Sequence, residues 1–552
     1  MGRVWSVDAI AKNDSTSVYG AAIALSESPV TEGILYAGTD DGVISVSEDN
    51  GENWRRTETI RGVPEMTLVE DIIASSHDDR VAYAAFDNHK RGDNRPYIYR
   101  TGNRGRTWQN ISGDLPDRGP VHTIAEDHVN PDLLFVGTEF GLFYTQNGGR
   151  NWHPLKSKFP TVGVRDIEIQ RRENDLVIGT FGRGVYILDD YSPLRTNADD
   201  LADEEATLFA VRDPWLYVEG DLWGTFGGAK ASNGDNFWVA ENPPFGAVFT
   251  YVLNNGLKSL AKTRQSDEQA SAKSGEDTPY PSWEELRAED REDAPALLVT
   301  ITDTEDKIVR RFTAPHSKGL HRIAWDLRYA APDPARLDRP SASPFANASV
   351  GPMVLPGRYT VTLSKRINGV ETELSEPQSF TVKPLENSPE LADDRTAVLA
   401  FQKDTADTAR AVAGATSASR ELRDRLAHMK VAVETLTIPN QSQRATIQEL
   451  EAALDEADIA LSGDRTIASR NEPTPMSISA RIAQIRSWGW NTQSPTTGSS
   501  QTGLSIAKEE FGNAISQLRN VEAGLAALED ELDALGAPYT PGRGVPSWPP
   551  EQ

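Results

Sequence analysis

The feature that most constrains this chain is a short hairpin-and-turn unit that recurs. Residues 134–152 read LeuPheValGlyThrGluPheGlyLeuPheTyrThrGlnAsnGlyGlyArgAsnTrp. A short apolar run ends in Thr and an acid. A second short strand follows, then a turn rich in Asn and Gly, and a Trp closes the unit. β-Formers bounded by glycines read as a hairpin. The unit returns at 34–54, at 81–108 with an insertion, and at 176–189, where it decays. The small residue ending the second strand stands at Gly38, Ala85, Gly137 and Gly179, in steps of 47, 52 and 42 residues. Self-similarity at that period, with all-β texture, predicts stacked blades and not one closed sandwich. Lead strands are expected at 19–26, 70–75, 121–126 and 164–170, and a fourth outer strand at sites such as 57–60. The count of four, the last degenerate, favours an arc or incomplete propeller over a closed ring. Its remaining blades would lie upstream in a longer parent, or a partner would cover the open edges.

The turn has its own chemistry. Three copies share one template: Ser47-x-Asp49-x-Gly51 closing on Trp54, Thr101-x-Asn103-x-Gly105 closing on Trp108, and Thr145-x-Asn147-x-Gly149 closing on Trp152. Asp or Asn can bond the backbone two residues on. Gly tolerates positive φ, and Trp offers a large apolar face to bury. The pattern resembles the Asp-box of bacterial neuraminidase-type (BNR) repeats, found in sialidases, xyloglucanases and sortilin-like domains. The resemblance implies that the box sits on an outer hairpin away from any ligand, so a structural role is assigned to these positions.

The remaining chain changes texture twice. Residues 1–195 hold the blades, and 196–206 read as an acidic linker carrying Asp199, Asp200, Asp203, Glu204 and Glu205. Residues 207–386 alternate in the half-buried β pattern, with strands expected at 208–211, 237–240, 247–253, 296–303, 307–313, 319–326, 357–363 and 378–383. They predict an immunoglobulin- or fibronectin-like β-sandwich. The stretches from His321 to Tyr329 and from Leu355 to Val361 resemble bacterial surface Ig-type modules, which implies that Trp325 fills the core and that the ProGly turn at 356–357 leads an edge strand. Residues 257–295 read as a solvated acidic insertion with a short helix near 283–290. From 390 to 536 the period becomes helical. Leu422, Leu426, Met429, Val433 and Leu436 form one seam, Ile447, Leu450, Leu454, Ala457 and Leu461 a second. Phe511, Ile515, Leu518, Val521, Leu525, Leu528, Leu532 and Leu535 form a third. Helices at 391–436, 443–462, 477–488 and 504–535, with a loop at 492–502, predict a helical hairpin or bundle. An extended tail follows at 537–552. The fold class is therefore mainly β with an α tail.

The order of these parts resembles the C-terminal half of large bacterial BNR-repeat, glycosyl-hydrolase-like proteins of the sortilin N-terminal-domain group. That resemblance implies a periplasmic or extracellular location. The first residues of this chain, MetGlyArgValTrpSerValAsp, lack a signal peptide's apolar core. No apolar run has the length of a transmembrane segment. The absence of Cys removes disulfides and thiolate chemistry. A formal net charge of −26 argues against nucleic acid as a partner.

No catalytic residue can be assigned from sequence. The acids after each blade's second strand, Asp40, Asp41, Asp87 and Glu139, with Arg183 beside Phe181 in the fourth blade, are the candidate ligand-binding residues. As repeat equivalents they should collect on one rim, and recurrent turn-forming is the simpler account of them. Arg91, Arg95, Arg165 and Arg183 are expected in or near the blade loops, but repeat-equivalent positions do not assemble the arginine triad that a sialidase needs. His77, His89, His122 and His128 lack metal-ligand spacing and are expected on surfaces or loops, so no metal is predicted. No cofactor motif is present. The expected function is a non-catalytic propeller scaffold that binds peptide or carbohydrate, with self-association through open blade edges or the helical tail. The alternative is a sialidase- or xyloglucanase-like glycoside hydrolase whose active site needs blades missing from this chain.

Overall fold

The computed structural model describes residues 20–156, 158–219, 234, 236, 238–240, 242–335, 350–385, 392–438, 440–543 and 545. The chain divides into two compact units, residues 1–212 with 252–255, and residues 213–251 with 256–552.

The first unit is a run of antiparallel meanders. The first blade is β1 (Ala22–Glu27), β2 (Leu35–Thr39), β3 (Ile44–Ser47) and β4 (Arg55–Thr57). The second is β5 (Leu68–Ala74), β6 (Ala82–Asn88), β7 (Asp93–Thr101) and β8 (Gln109–Asn110). The third is β9 (Val121–Glu126), β10 (Leu134–Thr138), β11 (Gly141–Thr145) and β12 (His153–Pro154). The last has three strands, β13 (Val164–Gln170), β14 (Asp175–Thr180) and β15 (Val185–Leu188). After it come α1 (Ala198–Ala202) and β16 (Ala206–Leu208), so the stretch read as an acidic linker holds a helical turn and the start of a strand.

Three apolar cores lie between successive blades. Tyr36, Ile44, Val69, Ile72 and Phe86 build the first, Tyr83, Val121, Ile124 and Trp152 the second, and Phe135, Val164, Ile167 and Ile178 the third. The seat of each junction is the small residue ending the second strand. A Cβ on Gly38 would stand 2.4 Å from Val69 Cγ1, and one on Gly137 would stand 2.5 Å from Val164 Cγ1. Close packing leaves no slack for that carbon. The two ends of the run stay open. Leu25 on β1 is 73% exposed, and Val185 and Ile187 on β15 are 61% and 60% exposed. Among the described residues the blades thus form an arc of four.

The boxes show why their residue types recur. The hydroxyls of Ser47, Thr101 and Thr145 accept the N–H of Gly51, Gly105 and Gly149 at 2.8, 2.9 and 3.1 Å. The same hydroxyls donate to Asp49, Asn103 and Asn147 at 2.9, 3.0 and 2.9 Å. Those oxygens in turn accept the N–H of Asn53, Thr107 and Asn151. The three glycines have φ of 88°, 72° and 91°, where a side chain would be strained. Trp108 packs against the core of the first junction and Trp152 lies in the second, each one blade behind its own box. Trp54 is half-buried and donates to Gly51 O at 2.9 Å.

The second unit contains a β-sandwich and a helical bundle. One sheet runs in the order β17 (Trp215–Leu216), β24 (Gln378–Pro384), β22 (Gly357–Ile367), β19 (Ala296–Thr302) and β20 (Ile308–Ala314), with β23 (Val370–Glu373) paired to β22. Against it lie β18 (Ala247–Leu253) and β21 (Gly319–Trp325). Phe249, Trp325, Tyr359 and Phe380 interlock between the layers, with ring centroids 5.7 Å (Trp325–Tyr359) and 5.8 Å (Phe249–Phe380) apart. Three expectations are corrected here. The strand after the ProGly turn is central, not an edge, because Tyr359, Val361 and Leu363 are buried and β22 is bonded on both sides. Of the strand expected at 237–240, residue 237 lies outside the described residues and 238–240 form no strand. The insertion is helical over α2 (Leu260–Ser274) and α3 (Trp283–Arg291), because each has a Ser N-cap and Arg264 clamps Glu268 and Glu289 at 2.7 and 2.6 Å.

The bundle comprises α4 (Arg395–Glu434), α5 (Gln441–Ser462), the short α6 (Arg465–Ala468), α7 (Ile478–Gly489) and α8 (Gly498–Ala534). Leu426, Met429, Ile447, Leu454, Leu461, Ile482, Leu518, Leu525 and Leu532 meet in one core. The loop expected at 492–502 is cut short. The Thr497 hydroxyl accepts Ser500 N–H and starts α8 six residues before the expected start.

Candidate functional site

The inner strands β1, β5, β9 and β13 each carry one extra residue, a β-bulge, at the same register. The bulges fall between Ala22 and Ala24, Val69 and Asp71, Val121 and Thr123, and Val164 and Asp166. The inserted residues are Ile23, Glu70, His122 and Arg165. A bulge leaves its extra residue outside the ladder and re-aims the side chain. Three of the four converge. The His122 ring has Glu70 Oε1 at 3.5 Å from Nδ1 and Glu139 Oε2 at 3.0 Å from Nε2. Arg165 Nη2 donates to Glu139 Oε2 at 2.8 Å, and its Nη1 lies 2.9 Å from His122 Nε2. Its guanidinium lies 5.3 Å from the centre of the Phe181 ring. His122 is buried, with its side chain 2% exposed, while Glu139 and Arg165 are 38% and 39% exposed. The cluster therefore ties three blades together underneath and presents one carboxylate and one guanidinium to solvent above.

Glu139 is the one sequence candidate that this cluster includes. Asp40 accepts the N–H groups of Gly20 and Ala21 at 2.8 and 3.1 Å. Asp41 is buried and accepts from Thr39 Oγ1 at 2.5 Å. Asp87 accepts His89 N–H at 2.8 Å and faces the His89 ring. Arg183 stands exposed on the turn between β14 and β15. These bonds of Asp40, Asp41 and Asp87 each fall within the residue's own blade. Of the arginines, Arg91 donates to Glu65 O and Arg95 forks onto Asp93.

The expectation of surface or loop histidines fails for His122, which is buried in β9 because blades two and four pack over it. His77 meets Asp127 O at 2.8 Å, His89 lies on a short 3-10 turn, and burial pulls the His128 pKa below its usual value. Among the described residues no set of three His, Cys, Asp or Glu is placed to hold a metal.

The two carboxylates at His122 can be no more than about 9 Å apart, within the range of a glycosidase pair. An imidazole and a guanidinium fill the gap between them. A sugar ring and its attacking water would have to displace a buried histidine. A further polar tie sits one residue past the bulge, where Asp71 Oδ2 accepts Ile124 N–H from the next blade at 2.9 Å. Burial raises the Asp71 pKa despite that bond and one from Thr123.

No family model matches the chain, and no curated protein matches it. Among solved structures, it is similar to the GH74 xyloglucanase of Xanthomonas campestris at 14% identity, covering 31% of this chain and 29% of that one, with a TM-score of 0.26. It is similar to the GH74 enzyme of Niastella koreensis at 11% identity, with 31% and 29% coverage and a TM-score of 0.26. It is also similar to YCF48 bound to D1 peptide at 12% identity, with 31% and 51% coverage and a TM-score of 0.25. The chain thus spans between about a third and a half of the length of these structures. The described residues include no helix long and apolar enough to cross a membrane.

Proposed function

We propose that the blades form a non-catalytic scaffold that binds a peptide or glycan over the inner side of the arc, with Glu139 and Arg165 as the polar contacts. We place the chain with exported bacterial BNR/Asp-box proteins of the sortilin N-terminal-domain group, on the strength of its three boxes and the order of its parts. The observation carrying the binding reading is how the acids are used. Asp40, Asp41 and Asp87 hold turns, and Glu70 and Glu139 are committed to His122 and Arg165. General acid catalysis needs a carboxyl free to give its proton to a leaving group.

The test is a pair of measurements on the full chain. Reducing-end release is followed with xyloglucan oligosaccharides and sialyllactose, and binding is followed by calorimetry with the same sugars and an acidic and a basic peptide pool. Binding without release, weakened by Arg165→Gln, is the expected result. Sugar release abolished by Glu139→Gln would establish the hydrolase alternative instead. Failure of every probe to bind would sink the scaffold reading.

A further inference from the structure

We propose that the open end of the arc docks a second copy of this chain: the face of β13, β14 and β15 turned away from the third blade receives β1 of the other copy. This stands independently of any peptide or glycan ligand.

The internal junctions define what such a face accepts. At each one, the inner strand of the following blade lays a valine onto the small residue of the preceding blade. Val69 lies on Gly38 and Val164 on Gly137, and Val121 shares a core with Ala85. Three residues later an isoleucine is buried, Ile72, Ile124 and Ile167, at 2%, 2% and 5% exposure. At the second junction the N–H of that isoleucine is also taken by Asp71 of the preceding blade.

The last blade carries the same receiving parts. Pairing sets Asp166, Gly179 and Val185 in one row across the sheet, and Glu168, Val177 and Ile187 in the next. Strand alternation puts these on the face opposite Ile167 and Ile178, which are buried against the third blade. The three atoms nearest a Cβ on Gly179 all belong to Asp166 of its own blade, at 3.4 Å and beyond. The seat has no valine on it, and Val185 and Ile187 stay 61% and 60% exposed.

The matching donor strand is β1. Its bulge register puts Ala22 and Leu25 where the later blades have valine and isoleucine. Leu25 is 73% exposed where Ile72, Ile124 and Ile167 are buried. The fit therefore commits to one occupant: Ala22 over Gly179, Leu25 against Val177 and Ile187, and Leu25 N–H on Asp166, repeating the bond at Asp71. Two such contacts related by a twofold axis would join the described blades of two copies in a closed dimer.

Sedimentation velocity of the full chain from sub-micromolar to high micromolar concentration tests this. A concentration-dependent shift from monomer to dimer mass is expected. Gly179→Arg overfills the seat with a charged side chain, and Leu25→Glu charges the donor strand. Each should weaken dimerisation at least about tenfold, with unchanged circular dichroism because both sites are open in the single chain. Mixing the two variants should restore a dimer through the one junction that stays intact. Monomer mass at every concentration overturns the proposal, as does a dimer indifferent to both substitutions. An open series of larger oligomers overturns the closed dimer.

Discussion

The blade junctions can be tested by moving one substitution between two seats. Gly137→Val and Gly179→Val make the same chemical change at the same position of consecutive blades. At Gly137 the first added carbon alone would sit 2.5 Å from Val164 Cγ1 and 2.7 Å from Thr123 Cγ2. Both neighbours are side chains in a packed junction, with Val164 fully buried. Overpacking of this kind costs about 1–3 kcal/mol. The upper end is expected for valine, because its two methyls add to the clash. Ala85 shows that one methyl can be housed when the junction is built for it, so Gly137→Ala belongs at the lower end. At Gly179 the nearest atom is 3.4 Å away, an ordinary contact. There, replacing glycine in a strand should be neutral, or stabilising by about 0.5–1 kcal/mol. Because the chain has two units, a single melting curve mixes their transitions. Hydrogen exchange of the β9–β14 amides, read by mass spectrometry on dilute protein, isolates the affected junction. Faster exchange in Gly137→Val with no change in Gly179→Val is expected. Equal effects at the two sites would refute the junction argument.

Three further outcomes follow from the same structure. Thr145→Val removes a fully buried hydroxyl that accepts Gly149 N–H and donates to Asn147; it should cost about 1–3 kcal/mol, seen as loss of exchange protection at 145–152. Asp71→Asn keeps an oxygen for Ile124 N–H and removes a carboxylate that folding makes harder to ionise. The folded pKa is raised, so the wild-type residue costs stability above that pKa and not below the unfolded value near 3.9. Asn should therefore stabilise the first unit at neutral pH, and the advantage should vanish in acid, as measured by urea unfolding at both pH values. In the bundle, Arg425 forks onto Glu529 at 2.8 Å, with 17% and 11% of the side chains exposed. Arg425→Met alone should cost about 3–5 kcal/mol by orphaning the acid, and Arg425→Met with Glu529→Leu much less, in a double-mutant cycle on the helical transition.

The chain's local chemistry was legible in its sequence. The box template fixes a turn within eight residues, because hydroxyl, amide oxygen and glycine all act on backbone next to them. Helical seams and strand alternation are likewise local periods, so α5 and β9 fall within a few residues of their expected bounds. Tertiary pairing decided the rest. Strand order is not written in any one strand, which is why β22 is central although its ProGly lead reads as an edge. The Glu70–His122–Glu139–Arg165 cluster joins residues from three blades, and its geometry depends on bulges that only strand pairing creates. One trace of it was present: Glu70, His122 and Arg165 stand 15, 15 and 14 residues before Ala85, Gly137 and Gly179. Aligning the repeats on that small residue would have put them in one column. What the column does follows from packing, because the fold around an axis alone brings the same position of neighbouring blades within hydrogen-bond reach.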